Sequence, residues 1–388
     1  MAMVAMWLPA RAAAGDIRVS LVTIYPGADL YEIYGHTELR VLDDTGDTFY
    51  NYGLFDFNAP GFVYRFVKGE TDYFCGGIPG FAALRGYEGR RVVEQVLNLT
   101  PQQAESVRDA LRTNAEPENA MYRYKFVSDN CATRPRDIVE QAFHGTLKYH
   151  PGRDIQGLSY RDMMHRYNAN YAWERFGIDL ALGSELDTIV SYRQQMFIPM
   201  VLMDAFAHAT VADSAGHVQP LVKETITMID GAEEGTIEPP TPWYLTPMFF
   251  ALLLLAATIA MCVRDVKRRS VSRWYDTVLY AIAILWGLVM MFLIFVCTHD
   301  ATTVNFNALW LHPLYAIPLV LMWLKKAQPV LKAYHWITIA ELLVTIAGFA
   351  LGLFGQCAHP AFYPLMAVLL ARSVNYLIVN RSCSELAK

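Results

Sequence analysis

The chain has 388 residues, 54% of them apolar, and a formal net charge of −5. That length accommodates more than one domain, and the apolar content points to a membrane. An acidic balance without a basic tract in the N-terminal half excludes nucleic acid as a natural partner. Six cysteines without CxxC spacing argue against a zinc site and a dense disulfide framework. No metal or other cofactor is expected.

Residues 1–15 (MAMVAMWLPARAAAG) hold a short apolar run, then Arg11 and the small residues Ala12-Ala13-Ala14. They read as the remnant of a secretory signal peptide, too short to span a bilayer. Residues 16–230 are then expected as an exported α+β domain of antiparallel sheet plus helices. IRVSLVTI at 17–24 alternates like a strand, and so does the His36 segment YGHTELRV. Asp43-Asp44-Thr45-Gly46 signals a hairpin turn into a strand over 48–53. From Phe57 to Gly80 the chain is rich in aromatics, among them Phe62, Tyr64, Phe66, Tyr73 and Phe74, interleaved with Arg65 and Lys68. They suit an acyl-chain groove, or simply a packed core with a loop. A strand at 91–99 precedes a helix capped by Thr100, opened by Pro101 and running to about Thr113. Residues 145–209 read as mixed helix, 217–228 as a closing hairpin, and the acidic, Pro-rich 231–242 as a linker.

Within that domain, Ser128-Asp129-Asn130-Cys131-Ala132-Thr133-Arg134-Pro135 stands out. Pro135 belongs in a first helical turn, so the ladder starts near Thr133 with Cys131 just ahead of it. Inward positions would be Ile138, Val139, Ala142 and Phe143. Free N–H groups and the helix dipole there favour thiolate, and two adjacent N–H groups offer an oxyanion site. His36 is the candidate base. Asn51 or Asp56 would orient its far ring nitrogen, a choice strand register does not fix from sequence. Tyr34 and Asn130, beside these two residues, join Lys68, Tyr73 and His299 as candidate substrate-binding residues.

Uncharged apolar runs follow at about 243–263, 277–298, 308–324, 336–358 and 360–379, each near the roughly 20 residues a crossing needs, although the third is short and broken by Pro313 and Pro318. They predict an all-α bundle of five transmembrane helices over 243–380, with 381–388 as a cytoplasmic tail. Arg264, Lys267, Arg268, Arg269 and Arg273 lie between the first two runs; Lys325, Lys326 and Lys332 lie between the third and fourth. Both loops are therefore expected in the cytoplasm and the N-terminal domain outside it. Glu341 and Arg372, counted at depths of about 9 and 12 Å, are expected to face each other as an ion pair. Cys297 and Cys357 fall at the outer ends of two runs; they would stay unpaired apolar cysteines unless an oxidising compartment joins them. The loop from Thr298 to His312 reads either as a platform for lipid headgroups, with His299, or as an interfacial loop anchored by Trp310.

A His-bearing strand followed about a hundred residues later by Asn-Cys resembles the circularly permuted papain-like group, which includes NlpC/P60-like and lecithin:retinol acyltransferase enzymes. More closely, YGHTELRV, YNYGLFDF and SDNCATRPRD resemble the periplasmic domain of the Lnb-type lipoprotein N-acyltransferases of Bacteroides-like bacteria, over about residues 17–230. A membrane-embedded tail fits that family. The resemblance implies a multi-pass inner-membrane enzyme with its catalytic domain in the periplasm. Cys131 would take an acyl chain from a phospholipid, with His36 as base, and pass it to the N-terminal amine of a diacylated lipoprotein. A membrane-tethered cysteine peptidase or amidase acting on cell-wall peptides, a phospholipase, and a non-catalytic lipid- or lipoprotein-binding module are the alternatives.

Overall fold

The computed structural model describes residues 16–385 except 30, 57, 152–156, 213–215, 233–234 and 236–237. The predicted signal remnant and the last three residues lie outside them. The chain divides into two compact units, 1–163 with 189–238 and 164–188 with 239–388.

The first unit is built on strands β1 (Arg18–Ile24), β2 (His36–Asp43), β3 (Gly46–Leu54), β4 (Asp72–Pro79), β5 (Val92–Leu97) and β6 (Met121–Arg123). The short strands β7 (Leu147–Lys148), β8 (Thr210–Ala212) and β9 (Val218–Pro220) form a small sheet, and β10 (Val222–Ile229) returns to the large one. The large sheet is antiparallel, in the order β10-β5-β1-β2-β3-β4-β6. Its helices are α1 (Phe62–Lys68), α2 (Gly80–Gly86), α3 (Pro101–Asn114) and α4 (Thr133–Ala142), then α5 (Tyr160–Tyr167), which runs on into the second unit. Because side chains alternate along a strand, β1 feeds two cores. Leu21 packs with Leu39, Tyr52, Leu111, Val139 and Phe206; Val22 and Ile24 point the other way, with Phe49 and Val92, beneath Ala83.

Local signals act where they are written. Thr100 caps α3 through a full capping box with Gln103, and Pro101 sits in its first turn. Asp43 pairs with Gly46 across a two-residue turn, and α4 starts at Thr133 with Ile138, Val139 and Ala142 buried. The expected hairpin at 217–228 is not formed. β9 pairs with β8 and β10 with β5; the single buried residue Leu221 between them is shorter than the two-residue loop a hairpin needs.

The second unit opens with residues that sequence assigns to the exported domain. After α6 (Ala172–Ala181), the helices α7 (Tyr192–Gln195) and α8 (Pro199–His208) belong again to the first unit. The helix α6 is fastened to the C-terminal half. Asn305 Nδ2 donates to the Leu180 carbonyl at 2.8 Å, Asn307 Nδ2 to that of Asp179 at 2.9 Å, and Trp173 Nε1 to that of Leu245 at 2.7 Å. A Cβ at Gly183 would sit 2.1 Å from the Val304 carbonyl oxygen, so glycine is required there.

Among the described residues, four helices are long and apolar enough to cross a membrane: α9 (Pro247–Arg268), α10 (Arg273–Phe295), the segment Lys325–Ala350 and Phe362–Asn380. The third expected run is shorter, Phe306–Leu321. It is broken into 3₁₀ turns at Phe306–Leu309 and Pro313–Tyr315 ahead of α11 (Ala316–Leu321), followed by α12 (Gln328–Ala350) and α13 (Phe362–Glu385). This run still leads from one end of the bundle to the other. Phe306 stacks on Phe354 at 4.6 Å, and Trp323 lies under the Arg273 guanidinium at 5.6 Å.

The expected Glu341–Arg372 pair is replaced by two separate sites. Arg372 Nε donates to Asp276 Oδ1 at 2.6 Å and its NH2 to Asp265 Oδ2 at 2.9 Å, all three groups buried. Glu341 instead faces His312 Nε2 at 3.3 Å. The helices α9 and α10 extend past their uncharged runs, which brings both aspartates to the level of Arg372. Trp310 is buried, its Nε1 donating to Asn307 Oδ1 at 3.1 Å, so it is no interfacial anchor.

Candidate active site

His36 opens β2, and Cys131 sits just ahead of α4. The backbone of Thr37, the residue after His36, hydrogen-bonds the Cys131 sulfur, as do the N–H of Cys131 itself and the Tyr124 hydroxyl. The sulfur is thus placed at the start of the histidine's strand. Burial nevertheless dominates these donors and pushes the thiol up to about 11. The thiolate expected from the helix start is not what this environment favours.

Beside this burial, the start of α4 is taken up by Asn130, whose amide is fully used inside the protein. Its Oδ1 accepts the Ala132 and Thr133 N–H groups at 2.8 and 2.9 Å; its Nδ2 donates to the carbonyls of Phe126 and Phe197 at 2.7 and 2.9 Å. The first free N–H groups of α4 therefore serve Asn130. They are not available to an oxyanion, and the Asn130 side chain braces the cysteine turn.

The His36 ring is held from β3. Its Nε2 donates to Asn51 Oδ1 at 3.1 Å; that oxygen also accepts the Gly53 N–H at 2.6 Å. Asp56 is elsewhere, in a turn where its Oδ1 accepts the Asn58 N–H at 2.8 Å. Behind Asn51 is a chain that sequence reasoning missed. Asn51 Nδ2 donates to the Tyr87 hydroxyl at 3.4 Å, and Tyr87 donates to Glu38 Oε1 at 2.6 Å. The Glu38 carboxylate is fully buried, 3.9 Å from His36 Nε2. Burial holds the imidazole down to about 4 and lifts Glu38 to about 7. Among the described residues no hydrogen bond joins the ring to the thiol. The signal for Glu38 was its spacing: two residues after His36 on a strand, it shares the histidine's face.

Tyr73 stacks on Tyr124 at 4.2 Å, and beyond it Phe55, Phe62 and Phe66 follow at 4.9, 5.7 and 5.9 Å. A file of rings thereby connects the thiol to α1, which has no buried residue and exposes Val63, Tyr64 and Phe66. Lys68, at the end of α1, pairs with Glu70 at 2.7 Å. Tyr34 packs its ring against Phe126 at 5.1 Å. His299 is in the second unit, in the loop after α10, with its carbonyl accepting from the Thr302 hydroxyl at 3.2 Å. No group of three or more histidine, cysteine or acidic side chains able to hold a metal is found among the described residues.

No curated protein and no solved structure matches the chain. Residues 4–166 match the family model described as the Lnb N-terminal periplasmic domain, and residues 239–382 match that described as the Lnb transmembrane domain. With both halves matched in that order, the chain belongs to the Lnb-type family and is a membrane protein with a periplasmic domain.

Proposed function

We propose that this protein is a lipoprotein N-acyltransferase of the inner membrane, working through a thioester on Cys131. Family membership fits a membrane enzyme that modifies lipoproteins; the acyl-transfer chemistry is our reading of the site. The file of rings running from the exposed apolar helix α1 to a buried thiol carries that reading. An apolar, aromatic approach of this kind suits an acyl chain.

In the first half-reaction the Cys131 sulfur attacks an ester carbonyl of a phospholipid. His36 takes the thiol proton on Nδ1, since Nε2 is committed to Asn51. With a neutral thiol and a neutral imidazole at rest, the proton moves as the bond forms. The nearest donors to the developing oxyanion are those already around the sulfur: the Thr37 and Cys131 N–H groups and the Tyr124 hydroxyl. His36 returns its proton to the departing glycerol oxygen, leaving a lysophospholipid and the acylated cysteine. In the second half-reaction the N-terminal amine of a diacylglyceryl-modified cysteine attacks the thioester. His36 takes a proton from nitrogen and gives it to the leaving sulfur. Burial of Cys131 and its ring of tyrosines keep water from the thioester between the two steps.

Intact-protein mass spectrometry after incubation with phospholipid tests this. A hydroxylamine-sensitive gain of one acyl chain on the wild type, absent from Cys131→Ser and discharged by a diacylated lipopeptide, is the expected result. Discharge by water at the same rate makes the protein a phospholipase. No adduct together with cleavage of cell-wall peptides makes it an amidase, and neither outcome leaves a lipid-binding module.

A further inference from the structure

At the basic end of the bundle, wholly within the second unit, lies a cavity of about 570 Å³. Its lining includes Arg268, Arg273, Trp323, Gln328, His335 and Tyr376. The charge rule alone accounts for cations at this end. It does not account for how the neutral polar groups are turned.

Two lining side chains have their acceptor sides occupied from behind. Gln328 Oε1 accepts the Tyr376 hydroxyl at 2.5 Å, which leaves the Nε2 donors open. His335, 2% exposed, has Nδ1 3.2 Å from the Ser373 hydroxyl and is stacked on Tyr376 at 4.3 Å. With that hydroxyl donating, His335 carries its proton on Nε2, which has no protein partner among the described residues. The acidic lining group, Asp276, is consumed by Arg372 at 2.6 Å. Arg268 and Arg273 are exposed and form no ion pair among the described residues, and Arg273 is placed over the Trp323 ring. The cavity therefore presents donors and positive charge, on walls of Trp323, Met322, Leu331 and Tyr376.

We propose that this cavity binds the phosphodiester of a phospholipid in the cytoplasmic leaflet, and net-anionic lipids above zwitterionic ones. A basic pocket between membrane helices on the cytoplasmic side is the chemistry that recognises such headgroups. The volume admits a phosphoglycerol group, and the indole and aliphatic walls suit the glycerol end of a lipid better than a free ion. The site is independent of the reaction at Cys131. It gives the bundle a lipid ligand at its own basic end.

Native mass spectrometry of the full-length protein, with thermal unfolding in detergent, tests the site using phosphatidylglycerol, phosphatidylethanolamine and inorganic phosphate as probes. Phosphatidylglycerol is expected to remain bound and to raise the unfolding temperature more than phosphatidylethanolamine does. The double variant Arg268→Gln/Arg273→Gln should weaken binding about tenfold or more. Gln328→Met should weaken it with no change of charge. Lys325→Gln/Lys326→Gln, whose lysines lie at the same end but outside the lining, should leave it unaltered. If the double variant does not fold, Gln328→Met decides. Equal loss in the lysine variant would reduce the effect to surface attraction and overturn the site. Displacement by millimolar inorganic phosphate, with no preference among lipids, would overturn the lipid assignment in favour of free phosphate.

Discussion

His36 Nε2 and the Gly53 N–H share one acceptor, Asn51 Oδ1, at 3.1 and 2.6 Å. An oxygen already taking a backbone N–H is fixed as an acceptor, so the amide cannot be flipped without setting an NH₂ group against that N–H. The ring is therefore held with its proton on Nε2 and a lone pair on Nδ1. Asn51→Ala frees both tautomer and rotamer. Thioester formation should slow by about 10–100-fold, with the unfolding temperature close to wild type, measured by stopped incubation and mass spectrometry.

Gly53 tests the same arrangement from the backbone side. A Cβ there would lie 2.7 Å from His36 Cε1 and 3.3 Å from Asn51 Oδ1. Gly53→Ala should displace the ring and cost at least about tenfold in rate. A crystal structure of the variant with an undisturbed ring, or unchanged activity, would contradict the assignment.

Acidity follows from the two buried groups. His36, held near 4, remains neutral from pH 5 upward, so no limb near its ordinary 6.5 is expected. Glu38, lifted to about 7, stabilises the imidazolium of the transition state only when ionised. The rate should rise with pH through about 7 and then level off, and Glu38→Gln should remove that limb and lower the plateau.

The same group makes a prediction on stability. Because the folded value of Glu38 is above its unfolded one, folding binds a proton. That contribution is complete below the unfolded value and is lost as pH rises through about 7. Glu38→Gln should thus raise the unfolding temperature at pH 8 and leave it near wild type at pH 5. Tyr87→Phe, which removes the 2.6 Å donor to Glu38, should lower it at pH 8.

In the membrane half, Arg372→Met strands two buried carboxylates and should destabilise the protein by about 3–5 kcal/mol. Glu341→Gln should leave the arginine site intact, since Glu341 faces His312. Comparable losses from both variants in detergent unfolding would restore the direct pair that spacing along the helices suggests.

What the sequence determined by itself is local or periodic. The alternation of IRVSLVTI specified β1, Thr100-Pro101 the start of α3, and Pro135 the placement of Cys131 just ahead of α4, since each depends on neighbours within about a turn. The apolar runs marked the bundle because a bilayer sets their length; only the run at 308–324, interrupted by Pro313, proved short and broken. Partners were another matter. Asn51 reaches His36 across 15 residues, Tyr87 reaches Glu38 across 49, and Arg372 reaches Asp265 across 107. Those distances are closed by strand register and helix packing, which no local pattern encodes. The protonation state of Cys131 likewise waited on the fold. A helix start promises a thiolate, but Asn130 takes the first N–H groups of α4, and burial outweighs the donors that remain.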